Sequence, residues 1–188
     1  DLQQESADYN GDVEDLFQAE LYLISPITEA GRFLRKEYFL TSQQRDIERQ
    51  ILKGIRQKHT GYYWFIGLPG TGKTLLLYDL AMKLSGRQKV CLIHCGRAGK
   101  EWRILHERLW RIDYLSDEQI HENKDLSEYN GVLIDEAHLL SEENLQMILE
   151  ACGQQPVIFS SDSEDVISPE EMDRSIVESL GNLPEIQK

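Results

Sequence analysis

The sequence predicts a three-layer α/β fold, in which helices cover both faces of a mostly parallel sheet. Four short apolar segments alternate with helical patterns, and this alternation is typical of parallel strands joined by right-handed crossovers. The helical segments also carry start and stop signals at their ends. The four predicted strands are residues 62–66, 89–94, 131–134 and 156–160.

The helix before the first strand has the clearest start signal. Thr41 and Gln44 fit a capping box, in which a threonine at the N-cap is paired with a glutamine three residues later. Ile47, Ile51 and Ile55 then recur at helical spacing and form an apolar stripe. We expect the helix to end before Thr60-Gly61.

The later helices are bounded by similar signals. Ser and Pro favour helix starts, and Gly favours the position after a helix end. These boundaries are Ser85-Gly86 after a leucine-rich helix, Ser141 and Gly153 around another, and Ser168-Pro169 before the last. Residues 113–130 are highly polar and weakly patterned, so we expect a flexible loop there.

The chain length and the distribution of charge predict one domain preceded by an N-terminal arm. A chain of 188 residues suits one α/β domain, which we place at residues 41–188. Residues 1–40 are interpreted as an acidic arm with a helix beginning at Val13, because residues 1–31 contain eight acidic side chains and no Lys or Arg. The net charge of −13 counts against binding of nucleic acid by bulk electrostatics.

Location is predicted from two further features. No apolar run approaches the roughly 20 residues that a membrane span needs, so we expect no membrane association. Three cysteines are a sparse and odd set for a disulfide framework, and this favours reduced thiols in a cytoplasmic protein. A structural zinc site at Cys91, His94 and Cys95 is disfavoured because no second pair of ligands accompanies them.

The segment GLPGTGKT, residues 67–74, fits the phosphate-binding pattern G-x-x-x-x-G-K-[ST] between a predicted strand and a predicted helix. Glycines let backbone N–H groups turn toward phosphate oxygens, and the following helix adds its positive end. Lys73 would contact the β- and γ-phosphates, and Thr74 would ligate Mg²⁺. The residues expected around a triphosphate are Gly67, Leu68, Pro69, Gly70, Thr71, Gly72, Lys73, Thr74 and Leu75.

A second motif, which is acidic, supplies the carboxylates that the glycine-rich motif lacks. In GVLIDEAH, residues 131–138, a buried parallel strand ends at Asp135 and Glu136, where the carboxyl end of the sheet should open onto a ligand crevice. Asp135 would hold Mg²⁺, and Glu136 would polarise the attacking water. The alternative is that both carboxylates only favour the start of the next helix.

With these two motifs in place, the sequence resembles P-loop NTPases, and in particular the first RecA-like domain of superfamily 1 helicases. GLPGTGKT is similar to their Walker A motif and VLIDEAH to their Walker B motif. The segments GTGKTLLLYDLA, LIHCG and IDEAHLL are similar to those of bacterial ATPases of the Schlafen-group-3 or DUF2075 type, which carry DNA/RNA helicase domains. The resemblance covers residues 40–167.

Three weaker matches lie in the family's order around those motifs. LTSQQRDIERQI resembles the Q-motif, which implies that Gln44, or less well Gln43, reads the adenine edge, although Gln44 also fits the capping box. VIFSSDSEDVIS resembles motif III, with Asp162 matching its Asp and Asp165 replacing its Gln. VCLIHCGRAGKEWRIL occupies the place of motif Ia, which touches single-stranded nucleic acid in the family. Between Gly96 and Arg111 the sequence has five basic residues, Arg97, Lys100, Arg103, Arg108 and Arg111, although such a run more often forms a solvated helix face.

The resemblance implies a helicase-like nucleic-acid motor that binds ATP and hydrolyses it with Mg²⁺. It further implies single-stranded DNA or RNA as a partner, and a second RecA-like domain that this chain lacks, so we expect a fragment with slow hydrolysis. A regulatory or signalling ATPase that acts through protein partners is the alternative, favoured by the acidic charge and the altered motif III. A binding module with an inactive nucleotide site is a third hypothesis.

Overall fold

The computed structural model describes residues 24–58, 60–86, 88–96, 102–121, 125–153, 155–163, 176–184 and 186–187, with the backbone alone at 102, 103 and 106. The sequence-based predictions outside the described residues are the helix from Val13, the start of the last helix at Ser168-Pro169, the replacement at Asp165, and part of the basic segment that begins at Arg97.

A five-stranded sheet runs through the centre of the described molecule, in the order β1-β5-β4-β2-β3 with every strand pair parallel. Because consecutive parallel strands must be joined over one face of the sheet, the chain between them supplies the covering helices. The strands are β1 Gly61–Gly67, β2 Val90–His94, β3 Ile112–Ser116, β4 Val132–Asp135 and β5 Pro156–Asp162.

Helices flank the sheet and confirm the predicted three-layer α/β class. The α-helices are α1 Ala30–Leu34, α2 Ser42–Lys58, α3 Lys73–Leu84, α4 Trp102–Arg108, α5 Glu142–Ala151 and α6 Ile176–Gly181. Short 3₁₀-helices lie at Asp117–His121, Leu126–Glu128 and Ala137–Leu139. Within the described ranges, none of the helices combines the length and hydropathy needed to cross a bilayer.

Two hydrophobic cores lie on opposite faces of the sheet. Successive side chains of a strand point to opposite faces, so Leu133 packs with the core under α2 and α3, whereas Val132 and Ile134 pack with the core under α5 and α6. Strands buried on both faces produce the continuous apolar runs from which four strands were predicted. All three cysteines are buried and unbridged, as predicted.

The fifth strand corrects the predicted loop at residues 113–130. The first part of that segment belongs to β3, which pairs with β2 over its whole length at the edge of the sheet. Tyr114 and Leu115 are buried, while Asp113 and Ser116 are partly exposed. An edge strand needs fewer apolar side chains than a central one, so its composition resembled that of a loop.

Residues 24–40 pack against the same core as the helices that follow. Ile24, Ala30, Phe33 and Leu40 are all buried in the cluster that includes the interior of α3. Residues 1–23 lie outside the described residues. A domain boundary at residue 40 stays a prediction.

Candidate nucleotide-binding site

The predicted motifs meet at the carboxyl end of the sheet. β1 leads into the glycine loop, β4 ends at Asp135, and β5, which lies between them, ends at Asp162. In open parallel sheets this edge is where ligands bind, because the connecting loops leave a crevice there. The topology therefore brings three distant segments of the sequence to one place.

The glycine loop connects β1 to α3 through two left-handed residues. Gly70 and Gly72 have φ angles of 77° and 81°, which a side chain would strain. Gly72 is the N-cap of α3, and no side chain caps that end of the helix. The first N–H groups of this 12-residue helix thus remain available to an anion.

Lys73, the first residue of α3, is held inside the loop by two oxygens. Its Nζ donates to the Leu68 carbonyl at 3.0 Å and lies 2.5 Å from Asp162 Oδ1. The Lys73 side chain is only 9% exposed. A buried ammonium paired in this way is positioned for phosphate oxygens and must exchange a partner to bind them.

Asp135 is fully buried and both of its carboxylate oxygens accept hydrogen bonds. The Thr74 hydroxyl donates to Oδ2 at 3.0 Å, and the Ser160 hydroxyl donates to Oδ1 at 2.6 Å. Thr74 and Asp135 were predicted together as Mg²⁺ ligands, and the structure places their oxygens in contact. Hard oxygen donors of this kind are those that Mg²⁺ prefers.

Glu136 follows Asp135 in a left-handed backbone conformation, with φ 54° and ψ 44°. Such a conformation costs about 1–3 kcal/mol at a non-glycine residue and is often found at functional sites. Burial raises the pKa of the Glu136 carboxyl, and the neighbouring charges of Asp135 and Asp162 raise it further. A carboxylate with a raised pKa is better suited to accept a proton from water.

Two histidines complete the polar surroundings of these carboxylates. His138 Nδ1 accepts from the backbone N–H of Asp162 at 3.3 Å and lies 3.7 Å from Glu136 Oε2. One ligand atom from each of Glu136, His138 and Asp162 fits within 4.8 Å, close enough for one cation. His94 Nδ1 lies 3.4 Å from Asp135 Oδ2, and this neighbouring carboxylate raises the His94 pKa.

Gln44 lies behind the loop. Its Oε1 accepts from the Thr41 N–H at 2.8 Å, while the Gln44 N–H donates to the Thr41 hydroxyl at 3.2 Å, which confirms the capping box. Its Nε2 donates to the carbonyls of Thr71 at 2.9 Å and Gly72 at 3.3 Å. The amide thus contacts the phosphate loop itself, and the adenine-reading role stays a prediction.

A cavity of about 350 Å³ lies in front of the loop. The predicted residues that line it are Pro69, Gly70, Gly72, Lys73, Thr74, Leu75, Glu136 and Asp162. Its remaining wall consists of Ile24, Ser25 and Pro26, which sequence reasoning did not assign to the site. Gly67, Leu68 and Thr71 shape the loop from outside the cavity, where the Leu68 carbonyl accepts from Lys73 and from the Thr71 hydroxyl.

The predicted basic segment is described only in part. Arg97 and Lys100 lie outside the described residues, as does the side chain of Arg103. Arg108 is exposed at the end of α4, and the Arg111 guanidinium stacks 4.5 Å from the ring centre of exposed Trp110. No contact among the described residues joins Arg108 or Arg111 to the cavity.

Comparisons with known proteins give structural likenesses only. No protein-family model matches the sequence, and no curated protein matches it. The Hef helicase domain of Pyrococcus furiosus is similar in structure, with 15% identity and a TM-score of 0.49 over 83% of this chain and 39% of that one. The present chain therefore spans well under half of that helicase domain.

Two further solved structures are similar at lower scores. The C-terminal part of the Fun30 ATPase domain is 18% identical, with a TM-score of 0.35 over 92% of this chain and 61% of that chain. The UvsW helicase of bacteriophage T4 is 14% identical, with a TM-score of 0.34 over 79% of this chain and 52% of that chain. Because these identities and TM-scores are low, the residues of the site are assigned from the geometry of the present structure alone.

Proposed function

We propose that this chain is an ATP-binding domain that hydrolyses ATP with Mg²⁺ and serves a helicase-like nucleic-acid motor. The observation that carries the proposal is the convergence of Lys73, Thr74 and Glu136 on one cavity at the N-terminus of α3, with Asp135 hydrogen-bonded to Thr74 behind it. A P-loop motif between a strand and a helix is a specific signal for a bound triphosphate.

The phosphates are bound by the loop and by Lys73. Backbone N–H groups at the start of α3 face their oxygens, and Lys73 exchanges Asp162 for the β- and γ-phosphates. Thr74 and Asp135 would hold Mg²⁺, because their oxygens already lie 3.0 Å apart and are of the type that this ion prefers. When bound, the ion neutralises the negative charge that develops on the phosphates.

Glu136 carries the hydrolytic step. Its carboxylate accepts a hydrogen bond from a water molecule and orients that water toward the γ-phosphorus. The water oxygen forms a bond to this phosphorus as the bond to the β–γ bridging oxygen breaks, and the water gives a proton to the Glu136 carboxylate, which yields ADP and inorganic phosphate. Positioning and charge stabilisation supply most of the catalysis in such transfers.

The motor role would involve single-stranded DNA or RNA and a second RecA-like domain that completes the site. A nucleotide-switched regulatory ATPase that acts through protein partners remains the second candidate. It is favoured by the net charge of −13, which repels polyanions, and by the Lys73–Asp162 ion pair, which a nucleotide would break at the end of β5.

Single-turnover hydrolysis of ATP tests the proposal. Glu136→Gln should retain ATP binding and lose hydrolysis by at least about 100-fold, since general acid–base groups typically contribute this much. Glu150→Gln, an exposed glutamate on α5, serves as the matched control and should hydrolyse normally. Unchanged hydrolysis in Glu136→Gln, or unchanged ATP affinity in Lys73→Ala, would contradict the assignment.

The motor part is tested by measuring ATP hydrolysis by the complete protein with and without single-stranded DNA or RNA. Stimulation of the ATPase rate is expected for a motor. An unchanged rate, with a nucleotide-dependent change in protein binding, would favour the regulatory candidate.

A further inference from the structure

His94, the last residue of β2, lies beside the Asp135 carboxylate. The two residues are register partners in the β2–β4 pair, and side chains at such positions point to the same face of a sheet. The Cys95 N–H also donates to the Asp135 carbonyl at 3.1 Å, so the two strands are joined at this point. The sheet thus holds His94 Nδ1 at 3.4 Å from Asp135 Oδ2.

Nδ1 of His94 is a buried polar atom whose hydrogen-bonding capacity is unused. It has no hydrogen-bond partner among the described residues, although the Asp135 oxygen is close by. Leaving such an atom unpaired costs about 1–3 kcal/mol. Because a carboxylate offers only lone pairs, Nδ1 carries a proton when it faces one. A shift of about 0.5 Å would bring the two atoms to the usual hydrogen-bond distance.

The two hydroxyls that donate to Asp135 differ in how Mg²⁺ would affect them. Ser160 is fully buried and donates to Oδ1 at 2.6 Å, whereas the Thr74 hydroxyl donates to Oδ2 at 3.0 Å and is itself a proposed Mg²⁺ ligand. A cation bound by the Thr74 and Asp135 oxygens repels the proton that now lies between them. Oδ2 then loses its hydroxyl donor, and a carboxylate held by Ser160 alone can rotate.

We propose that His94 is a positioning residue for Mg²⁺, an inference that rests on the proposed nucleotide-binding function. Its Nδ1–H replaces the Thr74 hydroxyl as the donor to Asp135 Oδ2 when the ion and a nucleotide are bound. The carboxylate then keeps one donor on each oxygen, which fixes its orientation toward the ion. Loss of a group that orients a metal ligand in this way typically weakens metal binding by roughly 10–100-fold.

Binding of Mn²⁺, followed by electron paramagnetic resonance in the presence of the non-hydrolysable analogue AMP-PNP, tests the inference without relying on hydrolysis. His94→Leu removes the donor and should weaken Mn²⁺ binding by about tenfold or more. His94→Asn keeps an N–H donor on the atom bonded to Cγ, as in histidine, so its Mn²⁺ affinity should stay within about threefold of that of the unaltered protein. His121→Leu changes an exposed histidine and is the matched control, with Mn²⁺ binding unchanged.

Binding of AMP-PNP in excess EDTA shows whether the effect is specific to the metal. His94→Leu should bind metal-free AMP-PNP as the unaltered protein does, because the glycine loop and Lys73 are intact, and circular dichroism checks that the variant is folded. The inference would be overturned by unchanged Mn²⁺ affinity in His94→Leu, by an equal loss in His94→Asn, or by an equal loss of metal-free AMP-PNP binding. Failure of the unaltered protein to bind AMP-PNP, with or without metal, would instead refute the proposed nucleotide site.

Proton NMR observes the hydrogen bond itself. The Nδ1 proton of His94 should move downfield and exchange more slowly with water when Mg²⁺ and AMP-PNP are added together, because it gains a carboxylate acceptor. The signal is identified by its loss in His94→Asn. If no such signal appears with Mg²⁺ and AMP-PNP, Nδ1 makes no new hydrogen bond and the inference fails, whatever the variants show.

Discussion

Lys73 has two partners in this structure, and a triphosphate would have to displace one of them. The Leu68 carbonyl is part of the loop and stays in place, whereas Asp162 comes from the end of β5. Both charged side chains are largely shielded from solvent, so their attraction is screened less than that of a surface pair. The bound phosphate competes directly with the Asp162 carboxylate.

Replacing Asp162 by Asn should therefore tighten the binding of ATP. Loss of this competing carboxylate should improve affinity by roughly fivefold, equivalent to about 1 kcal/mol. Isothermal titration with ATP and Mg²⁺ measures the change. Glu136→Gln removes a carboxylate from the same cavity without touching Lys73, so it controls for electrostatic repulsion between a carboxylate and the phosphates. Weaker ATP binding by Asp162→Asn would show that Asp162 instead supports the bound nucleotide.

At the scale of single elements, α2 links helix capping to the phosphate loop. Thr41 caps the helix, and the same capping box fixes the Gln44 amide that contacts Thr71 and Gly72. Helix α5 has a comparable N-cap at Ser141, whose hydroxyl accepts from the Asn144 N–H at 3.1 Å. The two caps are chemically alike, but only the first adjoins the site.

Thr41→Ala and Ser141→Ala should each lower the free energy of unfolding by about 1 kcal/mol. Only Thr41→Ala should also weaken nucleotide binding, because loss of the hydroxyl that accepts from the Gln44 backbone N–H loosens the first turn of α2, which holds the Gln44 side chain against the loop. Urea denaturation and ATP titration of both variants measure the two effects. Equal ATP affinity in the two variants would contradict the link between the cap and the loop.

The elements differ in how well sequence predicted them. β1, β2, β4 and β5 were predicted to within two residues because their apolar runs reflect burial on both faces. β3 was missed because an edge strand carries partly exposed polar residues such as Asp113. Local composition cannot distinguish such a strand from a loop when its pairing partner lies more than 15 residues away.

In the candidate site, too, some residues were predicted from the sequence and others were missed. Lys73, Thr74, Asp135 and Glu136 were predicted because each belongs to a contiguous motif whose chemistry is specific. Ser160 and His94 were missed, although both lie at or near the carboxyl ends of strands next to Asp135. Ile24 was missed for another reason, since only the tertiary fold brings residue 24 to the phosphate loop.

At the scale of the whole molecule, thiols buried in the core under α5 and α6 make the stability of the fold depend on pH. Burial raises the pKa of Cys152 to about 12 and that of Cys95 well above its ordinary value. An unfolded thiol ionises near pH 8.5. Since the folded state keeps both protons above this pH and the unfolded state loses them, rising pH favours unfolding.

The free energy of unfolding should accordingly fall by about 3 kcal/mol between pH 7.5 and pH 9.5, at about 1.4 kcal/mol for each thiol and pH unit above 8.5. Urea denaturation at the two pH values, under reducing conditions, measures this fall. Cys152→Ala should reduce the fall by about half. If the free energy of unfolding of Cys152→Ala falls as much as that of the unaltered protein, other groups cause the pH dependence.

The position of β1 in the sheet has a consequence for the order in which the protein is made. The partners of β1 among the described residues are β5, whose first residue, Pro156, follows its partner Gly61 by about 95 residues, and Gln187, which is later still. At synthesis rates of roughly 5–20 residues per second, that interval lasts about 5–20 seconds. Throughout it the glycine loop has been made but the strand that precedes it has no neighbour. The glycine loop is thus made several seconds before the strand that pairs with β1 to complete the nucleotide site.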